Sequence, residues 1–192
     1  TGTNGKTSVV SLTVEMLKNS GRNAVSAGNT EIPLVKAIND QKAEVFVVEA
    51  SSFRLGHARF FDAKPAAWLN FSPDHLDHHG SLEAYRLAKA RIWDSIVEPD
   101  DAIANFADPV VSACAPRGST SFGTSSSDFR VESGCLVWKE QEVLEVSRLK
   151  RSLPHDLLNA QAALAVALSF GATIEGCVKA LSDFVGLEHR VS

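Results

Sequence analysis

Cysteine is scarce in this sequence and basic charge is not in excess. Cys114, Cys135 and Cys177 are spread over 192 residues without a CxxC pair. That excludes a disulfide framework and fits free, inert thiols in a reducing cytosol. The net charge of -4 gives no support to a nucleic-acid or anionic-membrane partner. No apolar run approaches the roughly 20 residues of a membrane span. There is no internal repeat, and the only low-complexity patch, "TSSSD", is no longer than a loop. A signal-peptide pattern is missing too; the chain opens without Met at a functional-looking loop, and a native N-terminus is expected outside it. What is present is ordinary for a globular protein: 44% hydrophobic and 22% charged residues. The length suffices for one core, with roughly 70% of the unfolded surface buried, and predicts one domain with at most a small appendage.

Along the chain, helices alternate with apolar strands. Residues 8–20 predict a helix closed by Gly21, and residues 81–95 a second, capped by Ser81. "IPLVKAIN" predicts a short helix. "NAVSAGN", "VFVVEA", "AAWLNF" and "DAIAN" predict strands, and the near-continuous apolar runs mark strands buried on both faces. The fold class is therefore α/β, with a mainly parallel sheet flanked by helices. From 120 to 146 the pattern changes to short alternating segments. "FRVESGCLVW" reads as a hairpin turning at Ser133-Gly134, a small antiparallel addition to the sheet edge. Two helices, "LLNAQAALAVALSFG" and "IEGCVKALSDF", finish the chain.

The opening "TGTNGKT" has no apolar side chain to pack and many groups that hydrogen-bond. Gly2-x-x-Gly5-Lys6-Thr7 leading into an apolar helix is the pattern of a phosphate-binding loop. Glycines let the backbone approach a phosphate and turn its amides inward, and the helix N-terminus adds partial positive charge. Lys6 would reach the terminal phosphates of ATP, and Thr7 would place its hydroxyl on Mg²⁺. Glu49 ends a buried strand, where ligands of open α/β sheets bind, and suits Mg²⁺. "NFSPDHLDHHG" gathers Asp74, His75, Asp77, His78 and His79; His75, nearest the strand end, is the best ligand candidate, while His78 and His79 read as a solvated loop. A zinc site from His75 and His79 lacks an HExxH context, and a metal-dependent hydrolase built on "DHLDHH" is one alternative. Spacing alone makes Lys89 an ordinary snorkelling lysine. His155 and Asn159 share a helix face and either contact a base or simply cap and pack.

In order, "TGTNGKT", "AGNTEIP", "VVEASSFRL", "NFSPDHLDHHG", "AYRLAKARI", "HDLLNAQAALA" and "GLEHR" resemble the Mur ligase family across nearly the whole chain. These are ATP-dependent amide-forming enzymes of peptidoglycan synthesis, and the E-x-S-S-F form points to the branch that adds D-glutamate. The resemblance implies a cytoplasmic, monomeric enzyme of three domains, with residues 1–192 its central ATPase and with flanking domains for the UDP-sugar and the amino acid. Its substrates would be UDP-N-acetylmuramoyl-L-alanine and D-glutamate, with two Mg²⁺ sites. Gly2, Thr3, Asn4, Gly5, Lys6 and Thr7 would hold the phosphates, and His155 and Asn159 would lie on the nucleotide side. Arg190 would face the γ-phosphate. Asn29 and Ser51 would lie toward the acyl substrate. Thr7 and Glu49 would hold the first metal, and His75 the second together with Lys89, which the family carbamylates. Three departures stand out: Asp156 in place of asparagine, Arg54 in place of glutamine, and no glycine before "HDLLN". Alternatives implied are another Mur ligase, folylpolyglutamate synthase, or a non-catalytic ATP-binding module.

Overall fold

The computed structural model describes residues 1–29, 32–40 and 43–186. Helix α1 (Lys6–Asn19) starts two residues earlier than the apolar pattern indicates, because Lys6 and Thr7 form its first turn. It ends in the bonding of a Schellman cap: Gly21 N–H donates to Lys18 O and Arg22 N–H to Leu17 O, both at 3.0 Å. The motif needs a left-handed residue, and Gly21 supplies it at φ 81°.

Strands β1 (Ala24–Gly28) and β2 (Val45–Glu49) pair in parallel, with Gly28 opposite Glu49. Helix α2 (Leu34–Asp40) connects them. The second sheet runs in the order β3 (Ala66–Trp68), β4 (Ala102–Asn105), β5 (Thr120–Phe122), β6 (Phe129–Glu132), β7 (Cys135–Trp138) and β8 (Gln141–Glu145). Strands β3 to β6 are parallel, while β7 and β8 add antiparallel, which is the predicted edge extension. Its hairpin turns at Ser133 and Gly134, φ 49° and 79°, the double left-handed geometry that a two-residue turn demands. The "TSSSD" patch is the β5–β6 connection. Asp128 accepts from Ser121 N–H at 2.9 Å and Ser121 Oγ at 2.8 Å, so hydroxyls satisfy a loop that has no helix.

Side chains of β4 alternate between two cores. Ile103 points to α1, α7 (Pro154–Ser169) and α8 (Ile174–Asp183), joining Leu12, Met16, Ala163, Leu164 and Leu181. Ala102 and Ala104 face the other side, with Trp68, Ile92, Trp93 and Val111. Helices α3 (Ser52–His57), α4 (Leu76–His79), α5 (Leu82–Ala90) and α6 (Pro109–Cys114) complete the chain. The predicted helix over 81–95 is shorter than its pattern: α5 stops at Ala90 and a 3₁₀ turn follows over Arg91–Trp93. All three cysteines are free thiols. Among the described residues no helix is long and apolar enough to cross a membrane.

Candidate active site

The opening loop lies at the carboxyl ends of β2 and β3. Thr1 takes a strand position beside β3: its amino group donates to Ala67 O at 2.7 Å, and Leu69 N–H donates to Thr1 O at 2.8 Å. Gly5 then turns left-handed at φ 80° to start α1. A Cβ there would sit 2.4 Å from Asn159 Oδ1, so only glycine lets Asn159 approach the loop so closely. The Lys6 ammonium folds back over the loop, donating to Gly2 O at 3.1 Å and Thr3 O at 3.0 Å.

Glu49 is buried where β2 ends. Its Oε2 accepts from Thr7 Oγ1 at 2.8 Å, and its Oε1 accepts from Asn29 Nδ2 at 3.4 Å. The structure thus joins three candidates from three separate segments. Ser51, two residues on, is committed to capping α3, where its Oγ accepts from Arg54 N–H at 3.4 Å. A hydroxyl and a carboxylate are hard oxygen donors of the kind Mg²⁺ prefers. Mg²⁺ commonly takes only one or two protein ligands and completes its shell with waters and phosphates. Among the described residues no three His, Cys, Asp or Glu are placed to hold a metal by themselves.

The second group assembles around Tyr85. Lys89 is 2% exposed, the opposite of a snorkelling lysine. Its Nζ donates to Gly2 O at 2.8 Å and lies 4.6 Å from the centre of the Tyr85 ring. Burial, reinforced by the nearby Lys6 ammonium, pulls the Lys89 amine down to about 7. His75 is left-handed at φ 52° and starts α4. Its backbone N–H donates to Asp74 Oδ1 at 2.8 Å, and its ring lies 6.2 Å from that of Tyr85. His78 and His79 are not simply solvated: both rings pack on Phe53, at 4.4 and 5.4 Å, and His79 Nε2 lies 3.0 Å from Ser52 Oγ.

Asn4, Gly5, His155, Asp156 and Asn159 line a cavity of about 470 Å³ beside the loop. His155 is 61% exposed at the start of α7. Asp156 turns inward, accepting from Arg151 Nε at 3.2 Å and Leu153 N–H at 3.3 Å. Arg190 lies outside the described residues.

Two residues not singled out from the sequence belong to the site. Asn70 holds the loop and Tyr85 bridges it to Lys89, its hydroxyl 3.3 Å from Thr3 Oγ1. Asn70 carries the same signal as Glu49, a polar residue closing an apolar strand.

Residues 1–167 match the family model described as Mur ligase middle domain. The chain is 38% identical to a UDP-N-acetylmuramoylalanine–D-glutamate ligase of Shouchella clausii, covering all of this chain and 44% of that protein. It is 36% identical to the enzyme of that name from Bacillus cereus, with the same coverage. It therefore spans less than half the length of these relatives. In fold it is similar to MurF from Acinetobacter baumannii, at TM-score 0.76 and 20% identity, covering 100% of this chain and 46% of that one. A pseudomurein peptide ligase type C from Methanothermus fervidus gives TM-score 0.75 at 17% identity, covering 97% and 48%. The family match over most of the sequence, and the alignment of the whole chain with these ligases, establish that the chain belongs to the Mur ligase middle-domain family.

Proposed function

We propose that this chain is the ATP- and Mg²⁺-binding central domain of a cytoplasmic ligase that joins D-glutamate to UDP-N-acetylmuramoyl-L-alanine in peptidoglycan synthesis. The flanking parts of the longer protein would hold the UDP-sugar and the amino acid. The observation that carries this reading is the Thr7–Glu49 contact at the N-terminus of α1, a hydroxyl and a buried carboxylate meeting beside a glycine loop.

In this reading a carboxylate oxygen of the UDP-sugar substrate attacks the γ-phosphorus of ATP, and ADP leaves. The amine nitrogen of D-glutamate then attacks the acyl carbon, loses a proton, and phosphate departs. Lys6 leaves Gly2 O and Thr3 O to contact the terminal phosphates. The amides at the start of α1 and the helix dipole hold the anion. Mg²⁺, when bound, would neutralise phosphate charge; Thr7 and Glu49 would hold one ion, and Asn29, donating to Glu49 Oε1, would steady the carboxylate. On the Lys89 side the candidate donors are an imidazole and an amine, with the Asp74 carboxylate 3.5 Å from the His75 ring. An amine pulled toward neutrality can attack CO₂, forming a C–N bond and releasing a proton, and the carbamate would add a carboxylate to the donors on this side. Asn159 and His155 line the space for the nucleoside.

The test is ligation by the full-length protein supplied with radiolabelled D-glutamate, ATP and UDP-N-acetylmuramoyl-L-alanine. ATP-dependent incorporation with release of ADP and phosphate is expected. Incorporation of a different amino acid, with D-glutamate refused, would transfer the chain to a sibling ligase; no ATP-dependent ligation would overturn the reading.

A further inference from the structure

A loop built from Gly, Thr and Asn has little intrinsic reason to hold one shape. Here Gly2, Thr3 and Asn4 are fastened from outside by one stretch of chain, residues 70–89. Its most extensive contact is Asn70, just beyond β3. The Asn70 Oδ1 accepts from Thr3 N–H and Asn4 N–H, both at 2.9 Å, and its Nδ2 donates to Asn4 O at 3.0 Å. One carboxamide thus matches two successive amides and the carbonyl between Asn4 and Gly5. The loop lies close against it: a Cβ on Gly2 would stand 3.4 Å from Asn70 Oδ1. Asn70 is itself set in place. Its backbone oxygen accepts from Trp68 Nε1 at 3.0 Å, and Asn105, buried at the end of β4, donates from Nδ2 to Leu69 O at 2.7 Å.

We propose that Asn70 is the positioning residue of the phosphate loop. By taking up the amides of Thr3 and Asn4, it fixes the register in which the following amides, at the start of α1, meet the phosphates. The proposal rests on the ATP reading of this loop and adds a residue to it. Aspartate could keep both acceptor bonds but would lose the donor to Asn4 O and set a negative charge beside the anion. Alanine would leave the Asn4 amide to water and the Thr3 amide with only the Asn70 backbone oxygen, at 3.2 Å, and would let the loop relax, so that binding would have to order it.

The experiment uses the full-length protein with the single substitutions Asn70→Asp, Asn70→Ala and Lys6→Ala. For Asn70→Asp the KM for ATP should rise roughly tenfold or more. The KM for the amino-acid substrate should not change, and the unfolding midpoint should stay within about 2 °C of wild type. Asn70→Ala should move the KM for ATP in the same direction. In wild type, amide exchange at Thr3 and Asn4 should be slow both with and without nucleotide, which requires no variant to fold. An unchanged KM for ATP in the Asn70 variants beside a weakened Lys6→Ala would overturn this inference alone. So would equal rises in both KM values, or fast exchange at Thr3 and Asn4 in the free protein. A Lys6→Ala protein that binds ATP as wild type does would overturn the phosphate-loop reading and this inference with it.

Discussion

Glu49 and His75 both follow the carboxyl end of a parallel strand, yet only Glu49 is clasped from two sides. Glu49 is buried and bonded to Thr7 and Asn29, which come from α1 and from the end of β1. His75 is half-exposed, its charged neighbour is the adjacent Asp74, and its nearest aromatic partners are Phe53 and Tyr85. The difference follows from the backbone. Gly28 sits directly opposite Glu49 in the β1–β2 register, and a Cβ there would come within 2.4 Å of Glu49 O. That close approach brings Asn29 to the carboxylate. The segment carrying His75 leaves the sheet altogether and folds as its own short helix. One half of the contacts is preassembled, and the other, in the function proposed above, would depend on a chemical change at Lys89.

The largest effect should come from breaking the preassembled half. Glu49→Gln preserves shape and removes the anion, and we expect ligation by the full-length protein to fall about 10²–10³-fold. Titrating Mg²⁺ in the assay would show whether the deficit is one of metal use: excess Mg²⁺ should restore part of the rate. A variant with wild-type rate at ordinary Mg²⁺ would erase the distinction between the two halves.

The second half predicts a trade of function against stability. Unfolded, Lys89 titrates near 10.5; folded, near 7. Between those values the unfolded chain binds the extra proton, so stability rises with pH across that window. Below about pH 7 the burden of burying the charge is present in full. Lys89→Met should abolish ligation yet raise the unfolding midpoint relative to CO₂-depleted wild type, in which Lys89 is the free amine. The gain should be greatest at or below pH 7 and should fade as pH approaches 10.5. Thermal melts at several pH values would check it, and a destabilised variant at pH 7 would show that the Gly2 contact outweighs burial. Short carboxylic acids added to Lys89→Ala should restore part of the ligation rate, since they would supply the oxygen anion that the proposed carbamate would provide.

His75→Ala should change stability least, by no more than about 0.5 kcal/mol, because the ring is half in water. Denaturant melts would measure it. A larger loss would mean that the rings around Phe53 carry part of the fold.

Much of this was legible because the relevant signals are local. A glycine loop running into an apolar helix, and a glutamate closing an apolar strand, need no knowledge of distant contacts. Ser133-Gly134 likewise announces its hairpin. Helices α3, α4 and α6 escaped because none exceeds six residues, too short for an apolar period to show. The burial of Lys89 escaped for a different reason. Helical spacing gives its neighbours on α5, but its cover is the loop carrying Gly2, 87 residues away. Asn70 lies in "AAWLNF", whose apolar majority signals a buried strand and carries no information about a distant loop. Only the pairing of the opening loop against the end of β3 reveals what its carboxamide is for.

The central claim is that the opening loop holds phosphate, and calorimetric titration with Mg²⁺ and an unhydrolysable ATP analogue tests it most directly. Wild type should bind, and Lys6→Ala should lose a charge-assisted contact of about 1.5–3 kcal/mol, roughly 10- to 150-fold in affinity. Equal affinity in the two proteins, or no binding by either, would contradict the account.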